Sequence, residues 1–337
     1  MADLQLTDTA IEGLRYEQIV CRTREYFKRS NCPRVQPSPI ELGASVPPEI
    51  LLQIFVWLAA VDIPRSNKSA GDLGWIRITH VCRRWRMVAL AAPFLWTDLV
   101  SLGGNGMMTV LHRAGNLPLT INQYVASWDR FEEMQMLASR IPQMRILDVS
   151  GWHNPLHLLF DRLHEPAHQL ETLKLRVPPY GSNRKGPSIR GPLLSGTCLS
   201  LRHLSIYHVF FDWKDLCFPG LISLELVFRE SEDNARLADA RCIPSMSTLL
   251  FALAKMPSLK TLKLHHCISD SPPFDPLQKS NSAPISMPNL STLDFRLQSA
   301  LCAAILQRLE VSAGAVMLVP HVHLWKPVED IRTLFRL

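Results

Sequence analysis

A short apolar pattern recurs along the chain from residue 144 onward. It fits L-x-x-L-x-L with an apolar residue at each marked position, and it occurs six times. The copies are MRILDV (144–149), LETLKL (170–175), LRHLSI (201–206), LISLEL (221–226), LKTLKL (259–264) and LSTLDF (290–295). Alternating apolar residues form one face of a short strand, and one such strand cannot bury that face alone. Strands stacked side by side can bury it, so the pattern predicts a repetitive array.

The sequence pattern of these copies is that of leucine-rich repeats in a degenerate form. The fifth copy continues as Leu264-x-x-Cys267, and a Cys or Asn is typical of that position in the repeat. The copies are irregularly spaced, and long inserts at 178–192, 229–247 and 269–288 separate some of them. We therefore predict an irregular leucine-rich-repeat solenoid over residues 101–337. Unrelated strands of an ordinary α/β domain are the alternative.

The opposite face of the predicted strands is polar. Side chains alternate along a strand, so the residues beside each central Leu should share the face that is usually concave in a solenoid. Its charges are mixed, which favours a protein target over nucleic acid, because nucleic acid needs a basic stripe. We predict target binding by Lys174, Arg176, His203, Tyr207, Glu225, Lys263, His265 and Arg296.

A second pattern, at helical spacing, occupies residues 46–99. SVPPEILLQIFVWLAA (45–60) opens with a candidate Ser cap, two Pro that a first turn tolerates, and an early Glu. Its apolar residues nearly surround the helix, so both sides must be covered. After a polar loop, WIRITHVCRRWRMVALAAPFLWTDLV (75–100) continues the helical pattern. A unit this small should share apolar surface with a partner or with the adjoining repeats.

These residues resemble a known family. VPPEILLQIFVWLA, IRITHVCRRWRMVAL and PFLWTDL occur in the order found in the F-box, a short three-helix motif that binds a Skp-type adaptor of cullin-RING ubiquitin ligases. Leucine-rich repeats are a common companion of that motif. The resemblance implies that one set of residues contacts the adaptor or packs the motif, and sequence leaves these two roles open. The set is Pro47, Ile50, Leu51, Ile54, Phe55, Leu58, Val81, Cys82 and Trp85.

Residues 164–168 read HEPAH and so match the zinc-binding pattern H-E-x-x-H. That motif requires a helix that places both His on one face, with the Glu as base. Pro166 disfavours the helical conformation of Glu165 before it, and no third ligand follows at a recognisable spacing. The segment also falls where one repeat turns into the next. We therefore predict a repeat junction here and no metal site.

Composition narrows the class of protein without changing this interpretation. The chain has 337 residues, 47% of them hydrophobic and 20% charged, with a dispersed net charge of +6. Eight scattered Cys contain no C-x-x-C pair, which argues against a zinc ribbon or a disulfide framework. The first residues are too polar for a signal peptide, and the longest apolar run is too short to span a bilayer. We expect a soluble cytoplasmic or nuclear protein.

The combined prediction is an α/β chain with three regions. Residues 1–39 hold a short helix (8–29) and a Pro-rich linker (31–39), residues 40–100 form the F-box, and residues 101–337 form the repeats. The function implied is a substrate-recognition subunit that joins a Skp-type adaptor, and through it a cullin, to an unknown target protein. We expect no enzymatic activity, cofactor, metal, nucleic acid or membrane partner. The rivals are a repeat scaffold unconnected to ubiquitin and a hydrolase built on HEPAH.

Overall fold

The computed structural model describes residues 46–64, 73–99, 102, 104–125, 131–179, 187–213, 216–228, 244–268, 284–312, 314–319 and 324–328. The predicted N-terminal helix (8–29) and linker (31–39) lie outside these residues. The chain divides into two compact units between Leu117 and Pro118.

The first unit is mainly helical. Its elements are helix α1 (Pro48–Val61), a 3-10 helix (Gly74–His80), helix α2 (Arg83–Leu90), a second 3-10 helix (Pro93–Trp96), strand β1 (Asp98–Leu99) and helix α3 (Gly104–Ala114). Helix α1 starts with Pro48 in its first turn and Glu49 behind it, as the sequence predicts. The predicted cap Ser45 lies outside the described residues.

Aromatic rings and one glycine hold the first unit together. The rings of Phe55 and Trp85 lie 5.4 Å apart, and those of Trp75 and Trp96 lie 4.8 Å apart. Gly74 has a φ of +49°, and a Cβ there would come within 2.4 Å of the Asp62 carbonyl oxygen. Only glycine fits this close approach, which joins the start of the 3-10 helix to the end of α1.

The second unit is built from short strands connected by helices and turns. Its strands are β2 (Leu119–Val125), β3 (Met144–Gly151), β4 (Thr172–Arg176), β5 (Ser188–Pro192), β6 (His203–Tyr207), β7 (Phe210–Asp212), β8 (Ser223–Val227), β9 (Thr261–His265), β10 (Ile285–Met287), β11 (Thr292–Arg296), β12 (Leu309–Val311), β13 (Val316–Val319) and β14 (Leu324–Pro327). Its helices are α4 (Phe131–Ala138), α5 (His153–Phe160), α6 (Met246–Ala254) and α7 (Ser299–Arg308).

Strands β2, β3, β4, β6, β8, β9, β11, β13 and β14 lie side by side in chain order. All neighbouring pairs are parallel except the last, β13 with β14. The six predicted strands are confirmed as β3, β4, β6, β8, β9 and β11. Their central residues are direct partners across the sheet: Leu147, Leu173, Leu204, Leu224, Leu262 and Leu293. The result is a mixed α/β unit with a parallel sheet.

The inserts contain structure that the sequence pattern does not show. Strand β5 lies in the first insert and pairs with β7, and β10 lies in the last insert and pairs with β12. Helix α6 begins in the middle insert, and α5, α6 and α7 contact these short strands. The inserts are therefore not only loops, since their ends form a second layer of the unit.

Each of the six strands is preceded by a buried turn. In all six copies the residue that opens the L-x-x-L-x-L pattern donates its N–H to the carbonyl of an apolar residue three positions earlier. The earlier residues are Ile141, Ala167, Cys198, Phe218, Met256 and Met287, and all are buried. Each strand is thus led into the sheet by an additional apolar anchor, and the repeated unit is longer than the sequence motif.

Candidate functional site

Helix α1 presents an apolar stripe to solvent. Ile50, Ile54, Trp57 and Val61 are between 43% and 79% exposed. They are separated by four, three and four residues, so they lie along one face of the helix. Leu51, Leu52 and Phe55 on the other side are buried. A contiguous exposed apolar stripe of this kind is typical of a protein-binding surface.

A second exposed apolar position is the corner between the first 3-10 helix and α2. Val81 and Cys82 are both exposed there, and the extended backbone of Cys82 lets its Sγ accept a hydrogen bond from the N–H of Trp85 at 3.5 Å. The Nε of Arg86 donates to the Thr79 carbonyl at 2.7 Å. Both bonds fix the corner and end the preceding helix, which is why the predicted second helical stretch is broken here.

The nine predicted F-box residues separate into surface and core. Leu51 and Phe55 are buried and face the core, which is the packing role of the two that the sequence left open. Leu58 and Trp85 are partly exposed, between the buried and the exposed residues in accessibility. The remaining five are exposed: Pro47, Ile50, Ile54, Val81 and Cys82.

Trp57 and Val61 belong to the same stripe but were missing from the predicted set. Their spacing from Ile50 and Ile54 was visible in the sequence. Periodicity alone cannot say which side of an all-apolar helix meets the core. The exposure of Trp57 adds a large aromatic side chain, a residue type enriched at binding hot spots.

The outward face of the sheet in the second unit is the other candidate surface. Register places the predicted target-binding residues in three rows that cross the strands. The first row contains His203 among Thr and Ser side chains. The middle row runs Asp148, Lys174, Ser205, Glu225, Lys263 and Asp294, and the third row includes Arg176, Tyr207, His265 and Arg296. By register all eight predicted residues lie on the same side of the sheet, although His265 is buried there.

Carboxylates on this face are paired with side chains from the neighbouring strand. Asp148 lies 3.7 Å from the Nζ of Lys174 and 3.1 Å from a guanidinium nitrogen of Arg176. Glu225 accepts hydrogen bonds from the hydroxyls of Ser205 at 3.2 Å and Tyr207 at 3.1 Å. The negative charges are therefore held within a network and not freely presented.

Tyr207 lies at the centre of the network. The guanidinium carbon of Arg176 lies 5.7 Å from its ring centre, and the Nζ of Lys263 lies 6.0 Å from it. Burial, together with the nearby charge of Glu225, raises the pKa of the phenol above its ordinary value. Tyr207 therefore remains a neutral donor at physiological pH, between two cations.

Asp294 anchors the last part of the face. Its Oδ1 lies 2.9 Å from the Nε2 of His265, and its Oδ2 lies 3.7 Å from the Nζ of Lys263. Burial alone would raise the pKa of Asp294, but the close contact with His265 and the nearby basic side chains of Lys263 and Arg296 together lower it. His265 itself is buried, so the structure makes it a support for Asp294 and not a residue that a target could contact.

His203 remains exposed in the first row. Partial burial of the imidazole and the positive charge of Lys174 lower the pKa of His203, so the ring is neutral at physiological pH. One exposed aromatic residue, Tyr124 of β2, also occupies an outward position near one end of the sheet. It was not predicted, because β2 lacks the complete repeat pattern.

The HEPAH segment is a turn and not a helix. Helix α5 ends at Phe160, and the Arg162 Nε lies 2.6 Å from Glu165, which holds the carboxylate away from a base role. The carbonyl of His164 accepts a hydrogen bond from Ser195 at 2.8 Å, and that of His168 accepts one from Ser200 at 2.6 Å. The segment is a turn that connects α5 to β4, in agreement with the predicted junction and not with a metal-binding helix. Among the described residues, no group of three His, Cys, Asp or Glu side chains could hold a metal.

Over the part of the chain that the structure describes, no helix is both long and apolar enough to span a bilayer. No curated protein and no solved structure matches the chain. A family model described as F-box-like matches residues 44–101, a range that includes α1, both 3-10 helices and α2. The exposed stripe and the Val81–Cys82 corner therefore both lie in the matched range. The chain contains an F-box-like domain at residues 44–101.

Proposed function

We propose that this protein is a substrate-recognition subunit of a Skp–cullin–F-box ubiquitin ligase. The observation that carries the proposal is the exposed stripe of α1 within the F-box-like domain. Domains of this family typically bind Skp-type adaptors, and an adaptor would cover apolar side chains that otherwise remain in water. Ile50, Ile54 and Trp57 form the centre of the proposed contact, and Val81 and Cys82 extend it.

The second unit then holds the target protein. Its parallel sheet, with strands in chain order and leucines in register, supports the interpretation as a degenerate leucine-rich-repeat solenoid. Its outward face offers Lys174, Arg176 and Lys263 to a partner. On this proposal the chain makes and breaks no bonds. It brings the target close to a ubiquitin-loaded enzyme, and proximity is its contribution to the reaction.

The test is capture of a purified Skp-type adaptor by the full-length chain. We expect the wild type to bind and Ile50→Asp with Ile54→Asp to lose binding by at least about a hundredfold, because an unpaired carboxylate would be buried in the interface. Leu199→Asp with Phe251→Asp is the matched control, since both residues are exposed apolar side chains of the second unit.

Both double variants should melt as the wild type does, because all four positions are exposed. Undiminished adaptor binding by the Ile50/Ile54 variant would contradict the proposed contact. A wild-type chain that binds no adaptor would instead favour the alternative of a repeat scaffold unconnected to ubiquitin.

A further inference from the structure

On the outward face of the sheet, the positive and negative charges differ in depth. The side chains of Asp148 and Asp294 are only 15% and 13% exposed. The cations paired with Asp148 rise above it, since Lys174 is 37% and Arg176 is 42% exposed. Lys263, above Asp294, is 28% exposed. A partner that approaches this face therefore meets cations before it meets carboxylates.

The less exposed carboxylates also orient the cations. Asp148 holds Lys174 and Arg176 on one strand, and Asp294 holds Lys263 on another. Tyr207 lies between these groups with a cation near its ring on each side. Side chains already fixed in this way lose less conformational entropy when a ligand binds. The arrangement is preorganised for an anionic partner.

The net charge limits which anionic partner fits. Four cations (Lys174, Arg176, Lys263 and Arg296) face three carboxylates (Asp148, Glu225 and Asp294), which leaves a net charge of one. A nucleic-acid site gains affinity from each phosphate that it neutralises, so tight binding requires several unopposed cations. A few carboxylates spaced along a polypeptide match this surface better than a continuous phosphate backbone does.

We propose that the outward face of the sheet binds an acidic, extended segment of the target protein, with Arg176, Lys263 and Arg296 as its main contacts. The inference rests on the proposed function only in that it takes the partner to be a target protein. Binding by this face does not itself require the adaptor. The cations of β4 and β9 are three strands apart, or about 14 Å. An extended chain covers that distance in about four residues. The segment therefore carries acidic side chains about four positions apart.

The experiment uses the full-length chain and a labelled peptide in which Glu residues are four positions apart, separated by Ser and Gly. The same peptide with Gln in place of Glu and a single-stranded RNA of similar length are the comparison ligands. We expect the Glu peptide to bind and the Gln peptide to bind at least about tenfold more weakly, because charge-assisted hydrogen bonds are lost.

Two face variants and one control variant locate the site. Arg176→Gln leaves Asp148 paired with Lys174, and Arg296→Glu changes an exposed residue, so both should fold normally. Each should lower affinity for the Glu peptide, and together they should lower it by at least about tenfold. Arg190 lies on β5, away from the face, and forms an exposed ion pair with Asp161. Arg190→Gln removes one charge there and should leave binding of the Glu peptide unchanged.

Failure to bind the Glu peptide, equal affinity for the two peptides, or full binding by the folded face variants would overturn the inference. RNA binding that exceeds peptide binding and disappears in the face variants would also overturn it, in favour of nucleic acid. Adaptor capture measured on the same samples separates the two proposals. Retained adaptor binding without peptide binding refutes only the acidic segment, and the reverse result refutes only the ligase assignment.

Discussion

At the scale of single residues, Asp294 shows how the polar face is coupled to stability. Its carboxylate is held among His265, Lys263 and Arg296, and these groups keep its pKa below the ordinary value of 3.8. A depressed pKa means that the folded state binds the proton less readily than the unfolded state does. The ionised carboxylate therefore stabilises the folded state at pH values above the ordinary pKa. This stabilisation is lost as the pH falls through the pKa that Asp294 has in the folded state.

Asp294→Asn should accordingly lower the free energy of unfolding most at neutral pH. The difference from the wild type should shrink as the pH falls below about 4, where the wild-type carboxyl also becomes neutral. Urea unfolding measured from neutral pH to about pH 3 checks this. Asp161→Asn removes a carboxylate from the surface pair with Arg190 and serves as the control. A deficit that stays constant over the whole range would contradict this role for Asp294.

At the scale of elements, the leucines in register carry the stability of the sheet. Leu173, Leu204 and Leu262 are buried and pair across β4, β6, β8 and β9 through Leu224. Each faces apolar neighbours on both adjacent strands. Truncation of any one of them leaves a cavity that the neighbouring strands cannot close by moving independently.

We expect Leu173→Ala, Leu204→Ala and Leu262→Ala each to cost about 2–5 kcal/mol of unfolding free energy. Leu199→Ala is the control, because Leu199 is exposed and its change should stay within about 0.5 kcal/mol. Denaturant unfolding followed by circular dichroism measures all four. If the three core variants unfold at the wild-type midpoint, the leucines do not form the shared core that their register implies.

The same elements show what the sequence could predict. The six strands and their register followed from alternation, because a one-residue shift would turn every apolar side chain to the wrong face. The upstream anchors Phe218 and Met256 were not found, since they lie outside the strand period. Strands β5 and β10 were also missed. They are short and depend on pairing with β7 and β12, which lie about twenty residues further along the chain.

Helix α1 shows what the sequence could not predict about a helix. Its apolar content was enough to predict that both sides must be covered, and its boundaries were close to those observed. The orientation of the helix depends on its packing partners. Phe55 meets the ring of Trp85, a residue thirty positions away, and that contact turns Ile54 and Trp57 outward. No local pattern contains this information.

At the scale of the whole molecule, the described cysteines are free thiols distributed over the two compact units. Cys82 is exposed in the first unit, whereas Cys198, Cys267 and Cys302 are buried in the second. Burial raises the pKa of Cys267 to about 12 and that of Cys302 to about 11. The reactive thiolate is therefore scarce at these two sites while the second unit remains folded.

Alkylation with iodoacetamide at mildly alkaline pH should modify Cys82 quickly and the three buried cysteines slowly. Increasing urea should expose the three buried thiols together if the second unit unfolds cooperatively. Peptide mapping by mass spectrometry follows each site separately, and a fully denatured sample gives the maximum rates. Rapid labelling of Cys267 without denaturant would contradict the burial of that strand end.

The order of strands in the sheet is the order of strands in the chain. A genetic deletion or duplication of one strand together with its connection therefore joins two strand edges that already have compatible spacing and direction. Within this sheet no distant connection has to be rerouted, because each strand pairs only with the sheet strands that come immediately before and after it. Unequal recombination can therefore lengthen or shorten the outward face while the F-box-like domain at residues 44–101 is left unchanged.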